Sequence, residues 1–369
     1  MEYLTITWGL EKGLELGPIT IRWYSVLFAM GFILGFRIML RYFKQEGISE
    51  KMLDKMLVYS VIATVVGARL GHVFFYDWDS YKDNLWEIVK VWKGGLASHG
   101  AAVALIIAMW LFGKKLVEYF DSASVYQRSL WALDRLVITV ALAGCFIRLG
   151  NFANSEIYGN ISNSAIETVF VTNVQDGLEA VFRDYFESVD MSPTGEVYET
   201  DSIKYPVYTL SVTPAIGTGR TDQEITSVFG TSVPRYLENL EQNRKNALPM
   251  PGEDISYNQD TGQLEMKVLG VPRLPTQLIE SLGYLLIYLI LRFLFTKEGL
   301  RYRNGFMFGA FLVLIFGFRF VIEYWKDYQS AFEAEMTLNR GQQLSIPLVI
   351  IGLYFLFRNV QVKPKKVAE

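Results

Sequence analysis

Four short clusters place ionisable side chains inside or at the ends of segments apolar enough to cross a membrane. The first reads Arg148-Leu-Gly-Asn151-Phe-Ala-Asn154-Ser-Glu156 and continues to Tyr158 and Gly159. Arg148 and Asn151 are three apart and so share a helix face. The second, Gly317-Phe-Arg319-Phe-Val-Ile-Glu323, sets a cation and an anion at i, i+4. The third, Trp92-Lys-Gly-Gly-Leu-Ala-Ser-His99-Gly100, breaks the chain with two glycines before a histidine at the mouth of a helix. The fourth is Gly67-Ala-Arg69-Leu-Gly71-His72, followed by Phe74, Phe75 and Tyr76. A charged group at a helix centre costs ~2.5–3.5 kcal/mol on insertion scales, so each one needs a partner, a water-filled cavity or a ligand. A plain packing account exists for each. Arg148 can be satisfied by Glu156 or by backbone carbonyls, Arg319 and Glu323 can close on each other, and His99 can cap or pack. The aromatics after Arg69 and His72 read as an interfacial belt. The density of polar residues between 148 and 159 is what favours a functional site there.

The chemistry follows from the residue types. An arginine fork suits bidentate contact with a phosphate in a way lysine does not. The ordinary pKa of histidine, ~6.5, makes His99 usable as a general base. Pro275-Thr-Gln277 with Glu280 opens a further span, where free helix N–H groups suit an anion. Arg22-Trp-Tyr24 opens the first span at the membrane interface. Arginines, a histidine and glutamates near the outer half of a membrane bundle suit a phospholipid head group. The matching reaction is attack on the glycerol carbon beside the phosphate, with arginines stabilising the departing phosphate. No side chain presents itself as a covalent nucleophile. Cys145 sits among apolar residues and reads as a small hydrophobe. The attacking group then belongs to a second substrate. With one cysteine and two histidines, a disulfide framework is excluded and a metal site is not expected. No cofactor and no nucleic-acid partner are expected.

The elements that must carry these residues are membrane helices. Of 369 residues, 51% are hydrophobic and only 20% charged, and several runs reach the roughly 20 residues a helical span needs. Seven spans are expected, near 22–42, 56–76, 95–113, 131–153, 276–296, 303–324 and 343–359. Cations cluster after spans one, three and five and at the end of the chain, as at Arg41, Lys114, Arg301 and Lys366. The positive-inside rule then puts the N-terminus outside and the C-terminus in the cytoplasm. No cleavable signal peptide is apparent, so the first span is expected to stay as an anchor. Residues 160–273 interrupt the pattern as an external α+β insertion. Strands are expected at Tyr205–Val212 and Gln263–Leu269, helices at Asp176–Phe186 and Val233–Asn243. Residues 156–273 hold 18 acidic and 8 basic side chains, net −10, which leaves +7 on the rest of a chain of −3. The expected fold is thus an all-α polytopic membrane protein of seven transmembrane helices with an inserted external region. Residues 1–159 would carry spans one to four and 274–369 spans five to seven with a cytoplasmic tail.

At these residues the sequence resembles the prolipoprotein diacylglyceryl transferase family. The likeness runs through all seven spans: Arg22-Trp-Tyr24, Gly67 to Tyr76, Gly94-Gly95 with His99-Gly100, Arg148 to Gly159, Pro275-Thr-Gln277 with Glu280, Phe318-Arg319 with Glu323, and Gly341-Gln342 with Leu344-Ser-Ile-Pro347. The stretch Arg148-x-Gly-Asn-Phe-x-Asn-x-Glu156-x-x-Gly159 resembles the family signature. The resemblance implies transfer of the diacylglyceryl group of phosphatidylglycerol to the lipobox cysteine of a prolipoprotein signal peptide. A thioether forms and glycerol 1-phosphate leaves. It implies catalytic roles for His99, Arg148 and Arg319, the arginines on phosphate and His99 assisting the thiol. It implies that Tyr24, Arg69, Asn151, Glu156, Gly159 and Glu323 line or support the substrate site, which Asn154 and Gln277 are expected to join from their places in the polar segments above. The implied location is the bacterial cytoplasmic membrane. Three positions depart from the family pattern: Ile147 where a glycine is usual, Ala153 where a large aliphatic is usual, and Leu274 where a histidine is frequent. The last raises the weight on His99. The alternative reading is a non-enzymatic phospholipid or anion transporter, which internal repeats or broken helices would favour; neither is evident. An intramembrane serine protease ranks lower, because Ser98 is adjacent to His99 rather than facing it.

Overall fold

The computed structural model describes residues 5–17, 19–91, 94–200, 203–215, 217–239, 246–327 and 336–365. Trp92 and Lys93 of the third cluster, residues 240–243 of an expected helix and the terminal Lys366 lie outside that set. Among the described residues, seven helices are long and apolar enough to cross a membrane: Trp23–Gln45, Glu50–Phe75, Ser98–Tyr119, Val125–Ala153, Thr276–Thr296, Phe306–Trp325 and Arg340–Phe357. They match the seven expected spans in order. The second and fourth begin nearly two turns earlier than apolarity alone marks, because a helix continues past its hydrocarbon stretch wherever its polar residues reach water or partners. Glu50, Lys51, Asp54 and Lys55 do this at the start of the second span. The third ends in a tight 3-10 turn, Lys114–Tyr119, and the sixth in another, Glu323–Trp325.

The chain divides into two compact units. One comprises residues 27–147, 281–321 and 337–369, the other residues 1–26, 148–280 and 322–336. The first unit holds most of the membrane helices. One of its cores gathers Phe43, Met56, Phe112, Leu116 and Trp131, another Ile138, Leu142, Tyr284, Leu291 and Met307. Small residues let its helices approach. A Cβ on Gly67 would meet the Gly100 carbonyl oxygen at 2.7 Å, and one on Gly71 would meet the Gly100 Cα at 2.7 Å. Such contacts replace the hydrophobic drive that lipid does not supply between helices.

The second unit holds the inserted region. Strand Phe186–Thr200 pairs antiparallel with Ile203–Pro214, which pairs with Gln263–Gly270; that strand takes Ala247–Pro249 and Ser256–Asn258 at its two ends. Tyr205 and Val207 face one small core, while Tyr208, Leu210 and Val212 face the main one. The period-two alternation of a strand buried on both faces accounts for this split. The helix Thr172–Val181 and a second run covering Asp222–Asn239 supply the rest of the main core, through Val174, Leu178, Phe229, Val233 and Leu237. Near the N-terminus, Ile6–Trp8 pairs in parallel with Thr168–Phe170, and Gly13–Leu16 forms a hairpin with Ile19–Arg22.

The two expected strands are present, each slightly longer than anticipated. The helix expected at Asp176–Phe186 instead ends at Val181, and Phe186 opens a 15-residue strand. The chain turns at Phe182–Tyr185, where the Tyr185 N–H meets the Phe182 carbonyl at 2.8 Å and the exposed Arg183-Asp184 pair sits at the tip. The later helical run starts well before Val233, at a Thr221/Glu224 capping box that ties off its first orphan N–H groups.

Candidate functional site

The second unit contains a chain of buried polar contacts built where the fourth span ends. Arg148 and Asn151 occupy its last two turns, and Arg148 Nη1 donates to Asn151 Oδ1 at 3.2 Å, as their spacing leads one to expect. The helix stops at Ala153. Ser155 (φ 56°) and Ile157 (φ 58°) then take left-handed conformations that non-glycine residues adopt only at a cost. Asn173 Nδ2 holds the Ser155 carbonyl at 2.6 Å, and the Glu156 N–H returns to the Asn151 carbonyl at 3.0 Å. This reversal turns Glu156 back toward the helix, where its carboxylate accepts from Asn151 Nδ2 at 2.8 Å. Asn151 thereby joins Arg148 to Glu156.

One carboxylate in ion-pair range of Arg148 is Glu280, one turn into the fifth span and fully buried. Its Oε2 lies 3.3 Å from Arg148 Nε, and its Oε1 accepts from Lys326 Nζ at 2.8 Å. Lys326 also lies 3.4 Å from Glu323 Oε1. Burial, and after it the Arg148 charge, push the Lys326 ammonium below the usual lysine pKa, against the pull of Glu280 and Glu323. At the head of the fifth span, Gln277 Nε2 donates to the Glu156 carbonyl at 2.7 Å and locks the reversal in place.

Gly159 is the point where three chain segments cross. Its N–H donates to the Leu274 carbonyl at 2.8 Å, and it bridges antiparallel to Lys326. A Cβ there would come within 2.8 Å of the Leu274 carbonyl oxygen, the Trp325 carbonyl oxygen and Thr276 Cγ2. Its contribution is therefore closeness: no other residue lets segments 158–160, 273–276 and 325–327 meet. A second ion pair sits beside this crossing, with Arg273 Nη1 3.3 Å from Asp327 Oδ2. Burial lowers the Arg273 pKa and raises that of Tyr158, whose hydroxyl accepts from Asn246 Nδ2 at 3.1 Å. Tyr24 packs on the fourth span at Gly150, where a Cβ would meet its ring at 2.7 Å. Two buried acceptors here, Asn154 Oδ1 and Gln277 Oε1, have no hydrogen-bond partner among the described residues.

Of the residues picked out from sequence, Tyr24, Arg148, Asn151, Asn154, Glu156, Gly159, Gln277 and Glu323 fall in this unit. Arg69, His99 and Arg319 fall in the other. Arg69 is 3% exposed and gives its donors to backbone carbonyls: Nε to Ile88 at 2.9 Å, Nη2 to Glu87 at 2.6 Å, and Nη1 to Gly94 at 2.5 Å. It ties down the loop that leads to His99. His99 is the second residue of its helix, its ring 5.1 Å from that of Phe75 and 5.5 Å from that of Tyr76. Arg319 is half-buried in the last turn of its helix.

Two contacts go beyond those expected. Arg148 lies in salt-bridge range of Glu280, and Asn151 links it to Glu156. Glu323, at the start of a 3-10 turn, also reaches Lys326. Sequence reading noticed Glu280 only as a neighbour of Gln277, and it missed Lys326, Asp327, Arg273 and Asn246. Lys326 had a signal in its i, i+3 spacing from Glu323. Arg273 and Asn246 had none, since their partners are distant in sequence. Among the described residues, no group of three or more His, Cys, Asp or Glu side chains is placed to hold a metal ion.

Comparison with known proteins adds an independent line. The family described as prolipoprotein diacylglyceryl transferase matches residues 12–358. A protein of Tolumonas auensis named phosphatidylglycerol–prolipoprotein diacylglyceryl transferase is 32% identical over 352 residues, covering 95% of this chain and 96% of its own. Like-named proteins of Chloroherpeton thalassium and Bacteroides fragilis are 30% and 28% identical, each covering 96% of this chain and 95% of its own.

Proposed function

Since the chain belongs to the prolipoprotein diacylglyceryl transferase family, we propose that the polar chain at the end of its fourth span handles the phosphate of a phospholipid head group during group transfer. The protein is a polytopic membrane transferase that moves the diacylglyceryl group of phosphatidylglycerol to a prolipoprotein. The family match lends the transporter reading no support. The finer steps are our assignment. The acceptor is the thiol of a lipobox cysteine in the signal peptide. Sulfur attacks the glycerol carbon that bears the phosphate ester, the C–O bond breaks toward oxygen, and glycerol 1-phosphate leaves as the thioether forms. The thiol proton passes to His99 and from there to the product phosphate or solvent. Arg148 and Arg319 stabilise charge on the departing phosphate.

The observation that carries this reading is the setting of Arg148. A guanidinium is held at the end of a membrane span, 3.3 Å from a buried carboxylate, where an anion could find it. Asn151, Glu156 and Gln277 fix the backbone reversal around it. Gly159 lets the surrounding segments meet, Tyr24 packs beside it, and Glu323 braces Lys326. The unpartnered acceptors of Asn154 and Gln277 suit the hydroxyl groups of a glycerol head group. Arg69 acts through the loop it anchors. We place the protein in the bacterial cytoplasmic membrane with its N-terminus outside, residues 160–273 as an external region between spans 1–159 and 274–369, and the C-terminus in the cytoplasm.

The test supplies purified protein with phosphatidylglycerol and a lipobox peptide. Thioether peptide and glycerol phosphate should appear together in equal amounts, and a peptide with serine for the cysteine should give neither. Lipid consumption without a thioether product would overturn the assignment.

A further inference from the structure

Glu280 touches two cations at once and touches them differently. Its Oε1 accepts a hydrogen bond from Lys326 Nζ at 2.8 Å. Its Oε2 lies 3.3 Å from Arg148 Nε yet accepts no well-formed hydrogen bond. The contact with Lys326 is directional; the contact with Arg148 is mainly one of charge. Lys326 is braced in turn by Glu323 at 3.4 Å, and its side chain is 4% exposed. These four side chains carry two positive and two negative charges. An incoming phosphate must therefore compete with Glu280 for Arg148. A buried carboxylate that lost its counter-ion outright would be costly to leave behind. Glu280 is not left behind, because its stronger bond runs to Lys326.

We infer that Glu280 is a resident counter-ion for Arg148, and that Lys326 holds it so that Arg148 can pass from this carboxylate to the head-group phosphate and back again. The inference rests on the phosphate-binding reading of Arg148. It assigns Glu280 and Lys326 as positioning residues that touch Arg148 or its partner and not the reacting atoms. On binding, Lys326 retains Glu280 and the lipid phosphate takes Arg148. After transfer, Glu280 reclaims Arg148 and helps the doubly charged product leave. Glu280 thus trades affinity for turnover, which is useful when product release competes with chemistry.

The experiment uses the full-length protein in detergent. It combines lipidation kinetics with calorimetric titration of glycerol 1-phosphate. In Lys326→Met, Glu280 turns wholly to Arg148, so the KM for phosphatidylglycerol should rise about tenfold, the equivalent of roughly 1.4 kcal/mol. Glu280→Gln should bind glycerol 1-phosphate about tenfold more tightly and show stronger product inhibition with a lower kcat. The double variant should recover, its KM returning to within about threefold of the parent, and Lys326→Arg should restore KM alone. A purely structural role predicts the opposite, losses that accumulate in the double variant. Additive losses, or product affinity unchanged in Glu280→Gln, would overturn the inference. If Glu280→Gln does not fold, the pair Lys326→Met and Lys326→Arg decides it, equal KM values being the overturning result. The calorimetric order of affinities is independent of turnover. A parent that binds the anion in that order but forms no thioether would sink the proposed reaction while leaving the counter-ion inference standing.

Discussion

Two of the places where the molecule buries charge treat that charge in different ways. In one unit, Glu46 and Arg135 form a pair with side chains at most 1% exposed. Arg135 Nη2 donates to both Glu46 oxygens at 2.8 and 2.9 Å, Trp131 Nε1 donates to the same carboxylate at 2.9 Å, and the guanidinium lies 4.4 Å from the Trp131 ring centroid. The neighbouring Asp134 accepts from the Gly305 and Phe308 N–H groups at 2.7 and 2.9 Å, closing the start of the sixth span. Each of these two carboxylates has short, directional donors on both oxygens. In the other unit, Glu280 spends one oxygen on Lys326 and leaves the other in a looser contact with Arg148. Saturated carboxylates hold helices together. A carboxylate half committed to an arginine leaves that arginine able to change partners. Burial alone therefore does not separate structural from functional charge; the way the donors are spent does.

Breaking the saturated pair should give the largest effect on stability. Arg135→Met strands Glu46 in an apolar core and should cost about 3–5 kcal/mol, read as a lowered midpoint of chemical unfolding in micelles. Specific activity per folded molecule should stay near the parent value. Arg148→Ala should do the reverse: insertion and unfolding midpoint close to the parent, but lipidation down by about 10²–10³-fold, as for loss of one strong transition-state donor. If Arg148→Ala retained activity, the contrast between the two clusters would collapse. Gly159→Ala forces a methyl between two backbone carbonyls and should cost roughly 1–3 kcal/mol, with activity falling as the segments around Lys326 part. Arg69→Lys keeps the charge but loses the fork that reaches Glu87, Ile88 and Gly94 together. A modest loss of activity is expected, with faster proteolysis of the 86–96 loop. The smallest effect should come from the fully exposed pair Lys363 and Glu298, where Lys363→Ala should leave both unfolding and turnover unchanged.

Much of the fold was legible because a membrane imposes long, uniform apolar runs. Seven such runs stand out in the chain, and seven helices of matching order result among the described residues. The inserted region was harder to read. Its strands at 203–214 and 263–270 show their alternation, but the long strand from Phe186 carries Pro193, Gly195 and many polar residues and shows almost none. That strand exists because Ile203–Pro214 pairs with it, a contact its own residues do not announce. The same limit governs the site. The Arg148–Asn151 contact follows from a spacing of three on one helix. The Glu280–Lys326 contact spans 46 positions and leaves no local trace.

For the polar residues at membrane depth, sequence alone determined their number, their placement at the ends of spans, and a signature specific enough to point to a family. Helical periodicity and the cost of burying charge are local rules that can be read without a fold. Only the tertiary structure decided which opposite charge each one meets. It moved Glu280 and Lys326 to the centre of the candidate site, made Gly159 a crossing point, and turned Arg69 toward a loop. Those outcomes depend on backbone segments distant in sequence coming within a few ångströms of one another, and no property of one segment records where another will fold.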